Sequence, residues 1–302
     1  MRVIKFFLIL MIFSILLVGA GLYFLRDKIT NYFVNEITAQ SAKQNVNIHI
    51  GSPRFVPFAF KAGEMSLRYF YKLLPVQLDI ENLIVKPDWR AMFDKKLNAD
   101  VSLNTLGGHL QMRLAENNGD ILVPKLIVRN LDLSKHHQIR PLGIVSGQLN
   151  LEAKGIKSSA GFASVDQLIV QLLDLNLPHQ TVLPTWATGL PMVVKLPPIL
   201  AEKLDMSLEA TDFGYRMTKF DFDSDLGELD CLGSLRDKSK PVLETLSCDV
   251  SLTEDGLKHF NDWISLFSSG KVKDEQRFSF DVQGTSRGLP SVRFILPEAG
   301  DL

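Results

Sequence analysis

From Val46 onward apolar residues recur at every second position, the spacing of a strand that turns alternate side chains to opposite faces. Val46, Ile48 and Ile50 alternate with Asn47 and His49 until Gly51-Ser52-Pro53 breaks the run. Val76, Leu78 and Ile80, then Val101 and Leu103, then Leu110, Met112 and Leu114, then Leu149 and Leu151 repeat the pattern. It continues through 165–177, 204–208, 215–222, 226–235, 243–252 and 278–282. Each run has one apolar and one wet face. Short polar joins such as Gly107-Gly108 and Asn117-Asn118-Gly119 separate them, so successive strands turn back on one another as hairpins. The fold expected is mainly β: an extended or curved antiparallel sheet with a few covering helices, occupying residues 45–302.

Two segments depart from this rhythm. Residues 180–198 hold Pro184, Pro191, Pro197, Pro198 and Gly189, which predicts a long crossing segment and the best place for an internal boundary. Leu257, Phe260, Trp263, Ile264 and Phe267 fall on one helical face, with Thr253 placed as N-cap and Glu254 and Asp255 in the first turn. This helix is expected to pack on the sheet and bury Trp263 and Phe267.

Before the β region, Phe6 to Leu25 is uncharged and carries side-chain polar groups only at Ser14 and Tyr23, the length and character of a membrane-spanning helix. Arg2 and Lys5 precede it, whereas Asp27 dilutes Arg26 and Lys28 behind it, which orients residues 1–5 to the cytoplasm and exports the remainder. The alternative is a signal peptide cut after Val18-Gly19-Ala20, but the apolar run continues through Leu25, which favours a retained anchor. Residues 26–44 then read as a juxtamembrane helix, with Ile29, Tyr32, Phe33, Ile37 and Gln40 along one stripe. No later segment approaches the length of a membrane span.

Charge and motif content bear on activity. A net charge of -1, from 33 basic and 34 acidic residues spread along the chain, gives no field to attract nucleic acid. The six histidines lack paired metal-ligand spacings; His136-His137 is the only cluster, and adjacent residues of a strand point apart. There is neither a Gly-x-Ser-x-Gly turn nor a glycine-rich phosphate loop. Asp221, Asp223, Asp225, Glu228 and Asp230 form an acidic run, read as a solvated strand face behind Phe220 and Phe222, with a calcium site as the alternative. No catalytic, cofactor-binding or metal-binding residue is assigned, and no enzymatic activity is expected.

Cys231 and Cys248 lie in consecutive strand-like runs joined by a turn. Pairing them in an antiparallel hairpin places the midpoint between Ser239 and Lys240, inside that turn, and both fall on the apolar parity. An oxidising compartment would join them as a disulfide; the alternative is a pair of small buried hydrophobes.

The whole arrangement resembles the AsmA-like inner-membrane proteins and, more narrowly, the GspN family, the N component of type II secretion systems. The segments carrying the likeness are Glu81 to Leu114, Val128 to Gly155, and SLTEDGLKHFNDWISLF followed by RFSFDVQGTSRGLPSVRF. The resemblance implies a single-pass inner-membrane protein whose bulk lies in the periplasm. It would contact other secretion-system subunits, without cofactor or catalysis, in export of folded proteins across the outer membrane. The alternative it carries is an AsmA-like envelope protein that has lipid as its partner and moves it between membranes. The acidic run from Asp221 to Asp230 departs from the family pattern.

Overall fold

A computed structural model describes residues 27–28, 30–32, 34–39, 41–43, 46–56, 59–71, 74–88, 90–91, 96, 98–117, 120–136, 144–159, 162–178, 181–183, 194–239, 241–272, 274–284 and 291–295. The Phe6–Leu25 run lies outside the described residues. Among those described, no helix is long and apolar enough to cross a membrane.

The strands are β1 (Val46–Gly51), β2 (Arg54–Val56), β3 (Ala59–Tyr71), β4 (Leu74–Pro87), β5 (Asn98–Thr105), β6 (Gly108–Asn117), β7 (Asp120–Asp132), β8 (Ser146–Ser159) and β9 (Phe162–Ser164). They continue as β10 (Gln167–Leu177), β11 (Thr181–Leu183), β12 (Val194–Leu196), β13 (Ile199–Ala210), β14 (Gly214–Ser224), β15 (Gly227–Arg236), β16 (Val242–Leu252), β17 (Arg277–Gln283) and β18 (Ser291–Ile295). One antiparallel sheet runs in the order β1-β3-β4-β5-β6-β7-β8-β10-β13-β14-β15-β16-β17-β18, with β2 beside β3 and β9 beside β8. Sequence neighbours are thus space neighbours nearly throughout, as short hairpin connections dictate. At the β5–β6 turn, Leu106 and Gly107 both take positive φ, 49° and 75°, the conformation that lets a two-residue turn follow the strand twist. The crossing segment contributes the small β11–β12 hairpin, while β10 and β13 pair directly across it, so the ladder does not break there.

Several long strands change parity without turning over. Asn82 in β4, Asn130 in β7 and Asp174 in β10 have φ of 52°, 53° and 52°, and each sits where the ladder gains a residue on its own strand. Asn and Asp tolerate this left-handed conformation better than other side-chain-bearing residues. The extra residue is a β-bulge. In β7 the bulge lets Leu126, Val128 and Leu131 all face the same way, although the last has the opposite sequence parity.

The result is one apolar face across the whole sheet. Successive rows read Leu103–Leu110–Val128–Leu151–Val170–Met206–Phe220, and Leu149–Leu172–Leu204–Phe222–Leu229–Val250–Phe278. The face is buried near its ends, at Ala62, Ile80, Val101, Leu103 and Val128 on one side and at Cys231, Cys248 and Phe278 on the other. Between them Ala153, Leu177, Ala201 and Tyr215 are buried too, while Leu151, Val170, Leu172, Leu204, Met206 and Phe220 are half-buried. A second layer of structure would bury such positions fully. Among the described residues, every strand but β11 and β12 belongs to this one sheet, and the main contacts of each are with its ladder neighbours.

The Glu254–Ser268 helix lies against β16 and β18. Its start follows the expected capping, with Thr253 Oγ1 accepting from the Gly256 amide at 3.1 Å. Gly256 is required by closeness, since a Cβ there would run into the carbonyl oxygen of Leu226. Phe260 and Ile264 of the predicted stripe face the sheet and line a cavity there, whereas the side chains of Trp263 and Phe267 lie outside those described. Residues 34–39 and 41–43, before β1, are helical as expected. Of the stripe predicted there, Tyr32 and Ile37 are exposed, and it is Thr30 that is buried, its hydroxyl accepting from the Phe55 amide of β2 at 3.3 Å.

Candidate functional site

The strand alternation sends charged side chains to the face opposite the apolar rows, and the register brings them into a band across five strands. Asn150 Oδ1 accepts from the Asn130 amide at 2.8 Å, and Asn150 Nδ2 donates to Gln171 Oε1 at 3.4 Å. Gln171 Nε2 donates to Asp205 Oδ1 at 3.1 Å, while Lys203 and Lys219 hold Asp205 Oδ2 at 2.7 and 3.0 Å. The same two lysines reach Asp221 Oδ2 at 3.7 and 3.5 Å. Asp205 is therefore the hub. Burial pushes its carboxyl upward, but the hydrogen bonds from Lys203, Lys219 and Gln171 outweigh burial and hold it below the usual carboxylate range. In return, the bond to Asp205 holds the Lys219 ammonium above its ordinary value.

A lowered carboxyl contributes stability that is present above the unfolded pKa of about 3.9 and lost as pH falls through the folded value. Asp205→Asn is expected to cost about 1–2 kcal/mol at pH 7, given that the lysines are partly exposed. The difference from the parent should shrink below about pH 4. Denaturant titrations of both proteins at the two pH values check this; a penalty that persists unchanged in acid would show that the carboxylate charge is not its source.

The acidic run is brought together in part. Asp221 opposes Asp230, and Asp223 opposes Glu228, on this charged face, whereas Asp225 lies in the β14–β15 turn and accepts from the Leu200 amide at 2.9 Å. Among the described residues, no group of three or more His, Cys, Asp or Glu is arranged to hold a metal ion. His136 follows the 3-10 turn Leu133–Lys135, where Asp132 accepts from the amide and hydroxyl of Ser134 at 3.0 and 2.6 Å. The Ser134 hydroxyl is the main reason the Asp132 carboxyl lies below its ordinary value. His137 is outside the described residues.

On the apolar face, Cys231 and Cys248 stand directly opposite in the β15–β16 ladder, the register expected from their spacing about the turn. Their Cα atoms are 4.2 Å apart, the closer of the two antiparallel spacings, and the sulfurs are joined at 2.12 Å. Beside them, strands β13 to β18 and the Glu254–Ser268 helix line an open apolar cavity of about 450 Å³. Its walls include Phe222, Leu229, Val250, Phe260, Phe278 and Phe294. Three of the phenylalanines meet at its edge: the Phe294 ring lies 6.0 Å from Phe278 and 5.9 Å from Phe280. The Asp205 hub and the cavity went unread in the sequence. The alternation in Ile199 to Ala210 places Lys203 and Asp205 on one face, but their partners come from β10 and β14, and only the ladder register supplies those.

Fold and site together define a class: one long antiparallel meander with one charged and one apolar face, the apolar face partly roofed by a helix near one end. Comparison with family models, with curated proteins and with solved structures finds no match.

Proposed function

We propose that the chain is a non-enzymatic component of a type II secretion system, held in the inner membrane by Phe6–Leu25, with its sheet in the periplasm. It acts there by contact with other subunits during export of folded proteins. The observation that carries this reading is the one long sheet itself, which has two broad and chemically opposite faces over most of the chain. Such an architecture provides contact surface. The likeness of residues 81–114, 128–155, 251–267 and 277–294 to the GspN family supports the choice of system, and the apolar run with Arg2 and Lys5 before it supports the anchor.

A second reading is favoured by one specific observation. The half-buried apolar residues between β8 and β14 offer hydrocarbon-compatible surface, which suits an AsmA-like role in moving lipid between membranes. Deletion of the coding sequence separates the two. The secretion role predicts that folded enzymes fail to reach the medium and accumulate in the periplasm while outer-membrane lipid composition is unchanged. Altered lipid composition with normal secretion would reverse the order of the two readings.

A further inference from the structure

We infer that the charged face of the sheet docks reversibly on the same face of a second copy of the chain, the acidic row of each against the basic row of the other. This goes beyond the secretion role and stands without it. Like charges placed directly opposite on neighbouring strands destabilise a sheet. This face holds two rows of them, of opposite sign. Arg113, Lys125 and Lys154 stand directly opposite one another on β6, β7 and β8. Asp205, Asp221, Asp230 and Asp249 do the same on β13, β14, β15 and β16, with Asp223 and Glu228 paired beside them. Neither row is neutralised from within. Lys125 and Lys154 share the carboxylate of Glu152, at 3.6 and 3.8 Å, and their side chains stay 52% and 50% exposed. At the acidic row, the ion pairs among the described residues end on Asp205 and Asp221, which leaves Asp230 and Asp249 facing each other.

Charge and position select the occupant. A basic partner would match the acidic row and be repelled by the other, and an acidic partner would do the reverse. A second copy turned about a two-fold axis meets both rows with their opposites at once, as an isologous interface requires. The rows are spaced for this. From β7 to β15 is five strand spacings, about 24 Å. The basic row continues to Gln167 of β10 and the acidic row to Gln171, four residues further along the strand, about 13 Å. The axis passes midway, beside Ile169 of β10, an apolar residue 37% exposed on this charged face that there meets its own copy. The patch that spans β6 to β16 and both rows measures roughly 34 by 16 Å, so two copies bury about 1,100 Å², the small end of specific interfaces. Exposed ion pairs are individually weak, so the pair is a reversible one and each face is open to solvent between encounters.

The test weighs full-length protein, purified in a mild detergent, by native mass spectrometry. Raising ammonium acetate from about 0.1 to about 1 M shortens the screening length from about 10 to about 3 Å, and the dimer present at the lower salt should fall several-fold. Reversing one row, by Asp230→Lys with Asp249→Lys or by Lys125→Glu with Lys154→Glu, should leave either protein monomeric. Mixing the two reversed proteins makes both contacts attractive again, so a heterodimer with the mass of one copy of each should form to the parent's level. Resistance of Cys231 and Cys248 to alkylation reports that a variant is folded. Should a reversal unfold, Asp230→Asn with Asp249→Asn and Lys125→Gln with Lys154→Gln take its place, each expected to cut the dimer several-fold. A parent monomeric at about 0.1 M salt, a dimer undiminished at about 1 M, folded variants that dimerise like the parent, or a mixture no better than its components would overturn the proposal.

Discussion

Replacing Phe278 with Ala should lower the unfolding free energy by about 3–5 kcal/mol, the usual range for losing a buried aromatic ring. Phe278 is 5% exposed, opposes Val250 in the ladder and stacks obliquely on Phe294. Its ring forms part of the wall of the open cavity, and the Thr253 amide donates a hydrogen bond to the Leu226 carbonyl where the helix leaves the sheet, which limits how far the frame can collapse. Phe278→Leu keeps most of the apolar volume and should cost less, under about 1.5 kcal/mol. Equilibrium denaturation of the two variants checks both values. Equal, small penalties would mean that this end of the apolar face is not packed as described.

The second large effect is loss of the Cys231–Cys248 bond. Removing both sulfurs by Cys231→Ala and Cys248→Ala should cost on the order of 2–4 kcal/mol, since the cross-link constrains the unfolded chain. Both residues are buried, at 6% and 2% exposure, so the replacements also lose some packing next to Leu229 and Val250. Reductant should shift the unfolding midpoint of the parent and leave the double variant unmoved. Protein taken from cells and alkylated without reductant should carry no label at either position; two labelled cysteines would show that the bond does not form in the cell.

Much of the sheet was legible in the sequence because its rule is local. Strands such as Asn98–Thr105 and Gly108–Asn117 keep their alternation from end to end, and their turn carries the glycine it needs. The cysteine register followed from arithmetic about a turn, and Thr253 from the requirements of a helix start. The strand Ala59–Tyr71 escaped notice because its apolar positions change parity between Ala62 and Met65, where the ladder to β4 is also interrupted. The strand Asp120–Asp132 has the same difficulty at Asn130 and carries Pro124 opposite Gly155, where the ladder to β8 omits a pair. Bulges keep the face constant in space by breaking it in sequence. Which apolar positions are buried and which half-buried was not readable at all, because alternation tells which side chains share a face and nothing about what covers that face.

The proposed export of the sheet, and the accessibility of its apolar face, are tested together most directly by placing a thiol on that face. Met206 sits mid-sheet, in register with Val170 and Phe220, and is half-buried. In cells with a permeabilised outer membrane, a membrane-impermeant maleimide should label Met206→Cys at a rate comparable to Leu232→Cys, which lies on the charged face at 59% exposure. Labelling of Leu232→Cys with Met206→Cys silent would mean that a second layer covers the apolar face, and silence at both until the inner membrane is lysed would place the sheet in the cytoplasm.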